Sequence, residues 1–185
     1  MSSTLTLSAG SGDCWADTAG NFDSTDTNLF IGATDISDRS PRTWIPFTVN
    51  LSKGTTVLSA TLTLIASATS SSVTSTIRVG CEAADNPSTP TTKADLFARS
   101  MTAAYGDVTL LQYINGSSYP YDVTSAVQEV LNRSGWVYGN TLAVMIWDVD
   151  TTDKTHQVTS NEGGANKPVL SITVPSYVPR GGGWW

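Results

Sequence analysis

Leu58-Ser59-Ala60-Thr61-Leu62-Thr63-Leu64 alternates aliphatic and hydroxyl-bearing side chains from end to end. Successive side chains of a β-strand point to opposite faces, whereas a helix would scatter these leucines and threonines around its axis. The stretch reads as a half-buried strand, with Leu58, Ala60, Leu62 and Leu64 inward and Ser59, Thr61 and Thr63 outward. The same period recurs on both sides of it. Residues 42–49 place Ile45, Phe47 and Val49 on one face and Trp44, Pro46 and Thr48 on the other. Pro46 lacks the N–H that a ladder needs, which predicts an edge or a bulge there. Residues 76–82 repeat the pattern with Ile77, Val79 and Cys81, and residues 142–148 with Leu142, Val144 and Ile146 inward and Ala143, Met145 and Trp147 outward. Shorter runs at 4–8, 13–17, 29–32, 157–160 and 168–174 complete the set. Turn clusters such as Gly10-Ser11-Gly12 separate them. The expected core is Ile45, Phe47, Val49, Leu58, Leu62, Leu64, Val79, Val144, Ile146, Leu170 and Ile172. Burial of each large aliphatic is worth about 1.5–3 kcal/mol.

One helix is signalled. Val123, Val127, Val130 and Leu131 fall on one helical stripe, Ser125-Ala126-Val127-Gln128 has the form of a capping box, and Arg133-Ser134-Gly135 supplies a stop. Residues 93–99 are a candidate for a second, shorter helix, and residues 84–119 otherwise carry no clear period. Many short strands with one brief helix predict an all-β fold, a two-sheet jelly-roll sandwich over residues 1–174 followed by a tail at 175–185. No internal repeat interrupts it.

With 185 residues, 39% of them hydrophobic, the chain can bury the core of one such domain. Only 14% are charged, so Ser and Thr carry much of the surface, which suits exposed sheet better than solvated helix. A net charge of −6 with scattered Lys and Arg excludes a phosphate backbone as partner. No run is apolar and long enough to span a membrane, and Met1-Ser2-Ser3-Thr4-Leu5-Thr6 lacks the basic start and apolar run of a secretory signal. Cys14 and Cys81 could pair, but both occupy apolar phases of expected strands, and buried free thiols are the preferred reading.

In order and spacing, several segments resemble the DNRLRE-type domains, a jelly-roll group related to carbohydrate-binding modules. They are Asp13-Cys14-Trp15-Ala16-Asp17, Leu29-Phe30-Ile31-Gly32, Arg42-Thr43-Trp44-Ile45-Pro46-Phe47, Leu58–Leu64 as quoted, Tyr121-Asp122-Val123-Thr124-Ser125-Ala126-Val127-Gln128, Thr159-Ser160-Asn161-Glu162 and Pro168-Val169-Leu170-Ser171-Ile172. The resemblance spans residues 12–174. The hexapeptide that names the family is absent, and the Trp-rich segment before the helix is poorly preserved near Tyr113 and Tyr119. The resemblance implies a sandwich used for adhesion or scaffolding, with no catalytic residues to carry over.

The residues agree that this is not an enzyme. The single histidine, His156, sits in a polar strand edge with no nucleophile in a recognisable pattern, and no nucleophile elbow, zinc helix or phosphate loop occurs. Asp148, Asp150 and Asp153 alternate as the ligands of a structural calcium would, although they lack the glycine and distal glutamate of an EF-hand. A solvated turn is the simpler reading. Asp13, Asp17, Asp23 and Asp26 form a second set of the same kind. Trp44 and Trp147 lie on the phases opposite their strands' aliphatic faces. Either they are exposed, ready to stack on a sugar ring or a neighbouring subunit, or loops cover them. Trp15 and Trp136 read as anchors of smaller apolar clusters.

Arg180-Gly181-Gly182-Gly183-Trp184-Trp185 joins a flexible glycine tether to two large apolar anchors. Arg180, Trp184 and Trp185 are therefore candidate docking residues for a capsid protein or for another copy of the chain in a homo-oligomer. The leading expectation is a virion structural protein, a capsid decoration or head fibre that assembles without secretion. The alternative is an extracellular carbohydrate-binding or adhesive module with glycans as partners.

Overall fold

The computed structural model describes residues 2–32, 40–70, 75–149 and 156–176. Among them, β1 (Ser2–Ser8), β12 (Val169–Pro175), β6 (Ser59–Ile65) and β9 (Ser118–Asp122) form a four-stranded antiparallel sheet in that order. A six-stranded antiparallel sheet runs β3 (Phe22–Asp23), β2 (Cys14–Ala16), β5 (Arg42–Thr48), β10 (Thr141–Asp148), β7 (Ser75–Glu82) and β8 (Met101–Leu110). A ribbon of β4 (Asn28–Ile31) and β11 (His156–Thr159) is tied to the first sheet through a bridge between Ala66 and Val158. Two helices, α1 (Lys93–Ala98) and α2 (Thr124–Leu131), and a 3-10 turn at Asn161–Asn166 complete the described fold. None of these helices is long and apolar enough to cross a membrane.

The architecture is the expected all-β sandwich. Ala60, Leu62, Leu64, Leu170 and Ile172 of one sheet meet Ile45, Phe47, Val79, Leu142, Val144 and Ile146 of the other in one core. Leu29, Ile31 and Val158 of the ribbon and Val127, Val130 and Leu131 of α2 join the same core. Trp136 does too, its indole N–H donating to the carbonyl of Leu51 at 2.9 Å. Ten of the eleven expected core residues are buried. The exception is Leu58, which is 54% exposed. The chain bends at Leu58 and β6 starts only at Ser59, so the alternation that holds for Ala60, Leu62 and Leu64 does not reach back to it.

Three further expectations are corrected. Pro46 lies on an interior strand, not an edge, with Ala143 opposite it on β10. Its carbonyl accepts from Gly10 N–H at 2.8 Å, so its nitrogen also faces away from β10, beyond the last β2 pair at Cys14 and Trp44. No ladder hydrogen bond is lost there. The capping box does not form. Asp122 instead accepts from Thr124 N–H at 2.9 Å, and Gln128 reaches out of the helix to accept from Val57 N–H at 2.8 Å and donate to Thr55 O at 3.1 Å. Finally, the six-stranded sheet has no open outer face at its centre. Residues 93–98 are helical, and Leu96 of α1 packs with Cys14, Ala16, Trp44, Ala143 and Met145 into a second, smaller core.

Trp44 is fully buried in that second core. Its indole N–H donates to Glu82 Oε2 at 2.6 Å, and Arg99 pairs with the same carboxylate oxygen at 3.1 Å. Arg99 also contacts Asp95 of α1 at 3.1 Å, so one guanidinium fastens the helix to the sheet. Gly80 serves the same packing. A Cβ there would stand 2.8 Å from Met101 Cγ and Sδ, so only glycine lets Met101 lie across β7.

Candidate ligand-contact face

At the edge of the second core the outer face of the six-stranded sheet opens into a cleft of about 420 Å3. Strand register builds it. Arg42 on β5 lies opposite Trp147 on β10, Trp147 opposite Arg78 on β7, and Arg78 opposite Asp107 on β8. Four neighbouring strands thus present a row of cation, indole, cation and carboxylate. At about 4.8 Å between strands, the row is roughly 14 Å long.

The cations are held by rings. Arg42 Cζ lies 4.2 Å from the Trp147 ring centroid and 4.5 Å from that of Phe97, with Nη1 donating to Phe97 O at 2.7 Å. Arg78 Cζ lies 3.8 Å from the ring of Tyr105, a residue 48% exposed. Contacts of this kind are worth about 0.5–2 kcal/mol, more as they are desolvated. Arg78 is neutralised by Asp107, Nε to Oδ1 at 2.7 Å. Arg42 makes no ion pair among the described residues, and burial lowers its pKa. Apart from Asp107 at the end of the row, which is paired with Arg78, no aspartate or glutamate among the described residues lines the cleft, although the chain as a whole carries −6. The Trp147 indole N–H is buried and has no hydrogen-bond acceptor. The site therefore offers a guanidinium with no ion pair among the described residues, the half-buried ring of an indole and a half-exposed phenol, which suits an anionic ligand with a flat or apolar face.

The two tryptophans expected as contacts differ in exposure. Trp147 is half-buried at the centre of the row. Trp44 lines another cleft, with Pro46, Thr48 and Pro87, but has no exposed surface and offers no stacking face. Arg42, Arg78 and Tyr105 were missed by the sequence reading. Arg42 and Arg78 share a phase with an aromatic on the adjacent strand, a signal that needs the strand order to be visible.

The acidic residues are engaged locally. Asp17 holds Asn21 through contacts of 3.0 and 2.7 Å. Asp23 accepts from Thr25 and Asp26 N–H, and Asp26 accepts from Asn28 N–H. Among the described residues no three His, Cys, Asp or Glu side chains gather as a metal would require. Asp148 closes β10, while Asp150 and Asp153 lie outside the described residues, as do Arg180, Trp184 and Trp185.

The buried titratable groups include a histidine and an aspartate. His156 is not at a polar edge as expected but fully buried, its ring 4.5 Å from that of Tyr113 and both nitrogens without a hydrogen-bond partner. Burial lowers its pKa to about 4, so the ring is neutral. Asp13 is also buried, accepting from Asn161 N–H at 2.8 Å. Burial, reinforced by a hydrogen bond to Glu162, raises its pKa to about 8. Its second oxygen has no partner as a carboxylate, and once protonated it donates to Glu162. Cys14 and Cys81 are free and buried on opposite faces of the six-stranded sheet, and burial raises both thiol pKa values, Cys14 to about 12. No protein-family model and no curated protein matches this sequence.

Proposed function

We propose that this protein is a non-enzymatic attachment module, and more narrowly a virion structural protein of the capsid-decoration or head-fibre type. The observation that carries the reading is the division of its chemistry. The single histidine, His156, and the carboxyl of Asp13, whose pKa burial raises to about 8, are sealed in the interior. The groups at the surface cleft are those that hold a partner: Arg42, Trp147, Arg78 and Tyr105. A rigid sandwich of this kind acts by contact. The virion assignment rests on the Ser/Thr-rich acidic surface and on the segment Gly181-Gly182-Gly183-Trp184-Trp185, a tether and anchor suited to a pocket on a capsid protein or another copy of the chain. Antibody raised against the purified protein should decorate the capsid of particles from the source. Purified particles that lack the chain by mass spectrometry would sink the assignment.

A second reading, a carbohydrate-binding or adhesive module, is favoured by Trp147 beside Arg42, which has no ion pair among the described residues. It is consistent with the resemblance to DNRLRE-type domains. All backbone groups on a sheet face are used in the ladder, so recognition there runs through rings, hydroxyls and guanidinium forks, a set that fits a carboxylate-bearing saccharide. Polyuronates should bind more tightly than neutral glucans, and Trp147→Ala should abolish the difference. Absence of binding to any glycan by the wild type would remove this reading, and unchanged binding by the variant would move the site.

A further inference from the structure

The two main sheets have four edges, and three of them are closed to further strands. β3 is only two residues long. β8 carries the charged Asp107 in its second half, and at its start the Glu129 carboxylate of α2 accepts from Ala103 N–H at 3.0 Å and Ala104 N–H at 2.8 Å. β9 carries Pro120 in mid-strand and ends on Asp122. Shortness, a blocking side chain, proline and charge are the devices by which sheets avoid adding strands. β1 has none of them. Ser2-Ser3-Thr4-Leu5-Thr6-Leu7-Ser8 is seven residues long, without charge, proline or glycine. It pairs with β12 on one side and with no strand on the other among the described residues.

We propose that β1 is a dimerisation edge, adding antiparallel to β1 of a second copy about a two-fold axis and joining two four-stranded sheets into one of eight strands. A two-fold contact requires a strand complementary to itself, and β1 is. With the axis at Leu5, that residue meets its own equivalent, Thr4 meets Thr6, and Ser3 meets Leu7. Every pair keeps its phase. Leu5 and Leu7, which pack against the core from a half-buried position, stay on the inner face, while Thr4 and Thr6 stay outside. Hydroxyl pairing across strands is already in use here, between Thr4 Oγ1 and Thr173 Oγ1 at 2.9 Å. Charge at this edge does not oppose the same occupant. Two copies each carrying −6 repel, and β1 is an edge at which they can meet without adding a like-charge contact. An uncharged hydroxyl edge offers nothing in particular to a charged partner. The pairing stands whether or not the protein is carried on a particle.

Sedimentation velocity over a wide concentration range tests it, together with cross-linking. The wild type should sediment as a dimer, and Thr6→Lys, at an exposed position, should sediment as a monomer with an unchanged melting temperature. Thr109→Lys on the β8 edge should remain dimeric. The register is read by cysteine substitution. Facing Cα atoms in an antiparallel pair are about 4.5–5.5 Å apart, within disulfide reach, so Leu5→Cys should cross-link two copies under mild oxidation and Thr4→Cys should not. A wild type that is monomeric throughout overturns the proposal. If its β1 amides are nonetheless protected from hydrogen exchange, the edge is covered by the chain's own residues. A dimer that survives Thr6→Lys and fails to cross-link through Leu5→Cys overturns it equally, placing the contact elsewhere.

Discussion

His156 and Asp13 show how much a single side chain's surroundings override its type. Both would titrate in water near their ordinary values. Inside the sandwich they move in opposite directions, each toward its neutral form, because burial penalises charge of either sign. The consequence for stability follows from linkage. His156 falls from 6.5 unfolded to about 4 folded, so its contribution is complete above about pH 6.5 and is lost as pH falls toward 4. Asp13 rises from 3.8 to about 8, so its contribution is complete below about pH 4 and is lost as pH rises toward 8. Glu162, where burial is outweighed by hydrogen bonds from Asp13 and Asn161 and the pKa is lowered, offsets part of the second effect. In a melting-temperature profile, His156→Phe should flatten the fall on the acid side. Asp13→Asn, which keeps a donor toward Glu162, should flatten the fall between pH 4 and 8. Limbs unchanged by these substitutions would mean that other groups set the profile.

At the scale of elements, the strands that alternate cleanly were legible and those that do not were not. β6 and β7 show period two because one face of each is apolar. β5 and β10 show it too, yet Leu142-Ala143-Val144-Met145-Ile146-Trp147 is apolar on both phases. That is the mark of a strand covered on both faces, but the period alone set Ala143 and Met145 outward, where the structure buries them with Trp44 in the second core. β8 left no trace, because an edge strand of small and polar residues, Met101–Leu110, needs little apolar surface. Two of its amides, those of Ala103 and Ala104, are satisfied from Glu129, a long-range contact that no local pattern encodes. The attachment of α1 depends on Arg99, which is 10% exposed and paired with the equally buried Glu82. Arg99→Ala leaves that carboxylate buried without its cation, and chemical denaturation should register a loss of about 3–5 kcal/mol. Arg78→Ala, at an exposed pair with Asp107, should cost no more than about 1 kcal/mol. Equal losses would show that α1 is held by its apolar contacts alone.

For the whole molecule, the proposal that Trp184 and Trp185 anchor to a partner makes a separable prediction. Removing residues 181–185 should leave the melting temperature unchanged and should reduce incorporation into particles or larger assemblies. Normal assembly without them would eliminate the anchor, while a much lower melting temperature would mean that the segment folds against its own domain. The outline of the molecule was readable from sequence because a two-sheet core demands alternation over many strands at once. The contact face was not, because Arg42, Trp147 and Arg78 become neighbours only once the order β5, β10, β7 is known. The two thiols carry one more consequence. Cys14 and Cys81 are held on opposite faces of one sheet, protonated and shielded from solvent. Thiolate is the form that oxidants and metals attack, so neither sulfur has a reason to react. The fold can be completed in a reducing cytosol and then moved into an oxidising medium with no change in its covalent state.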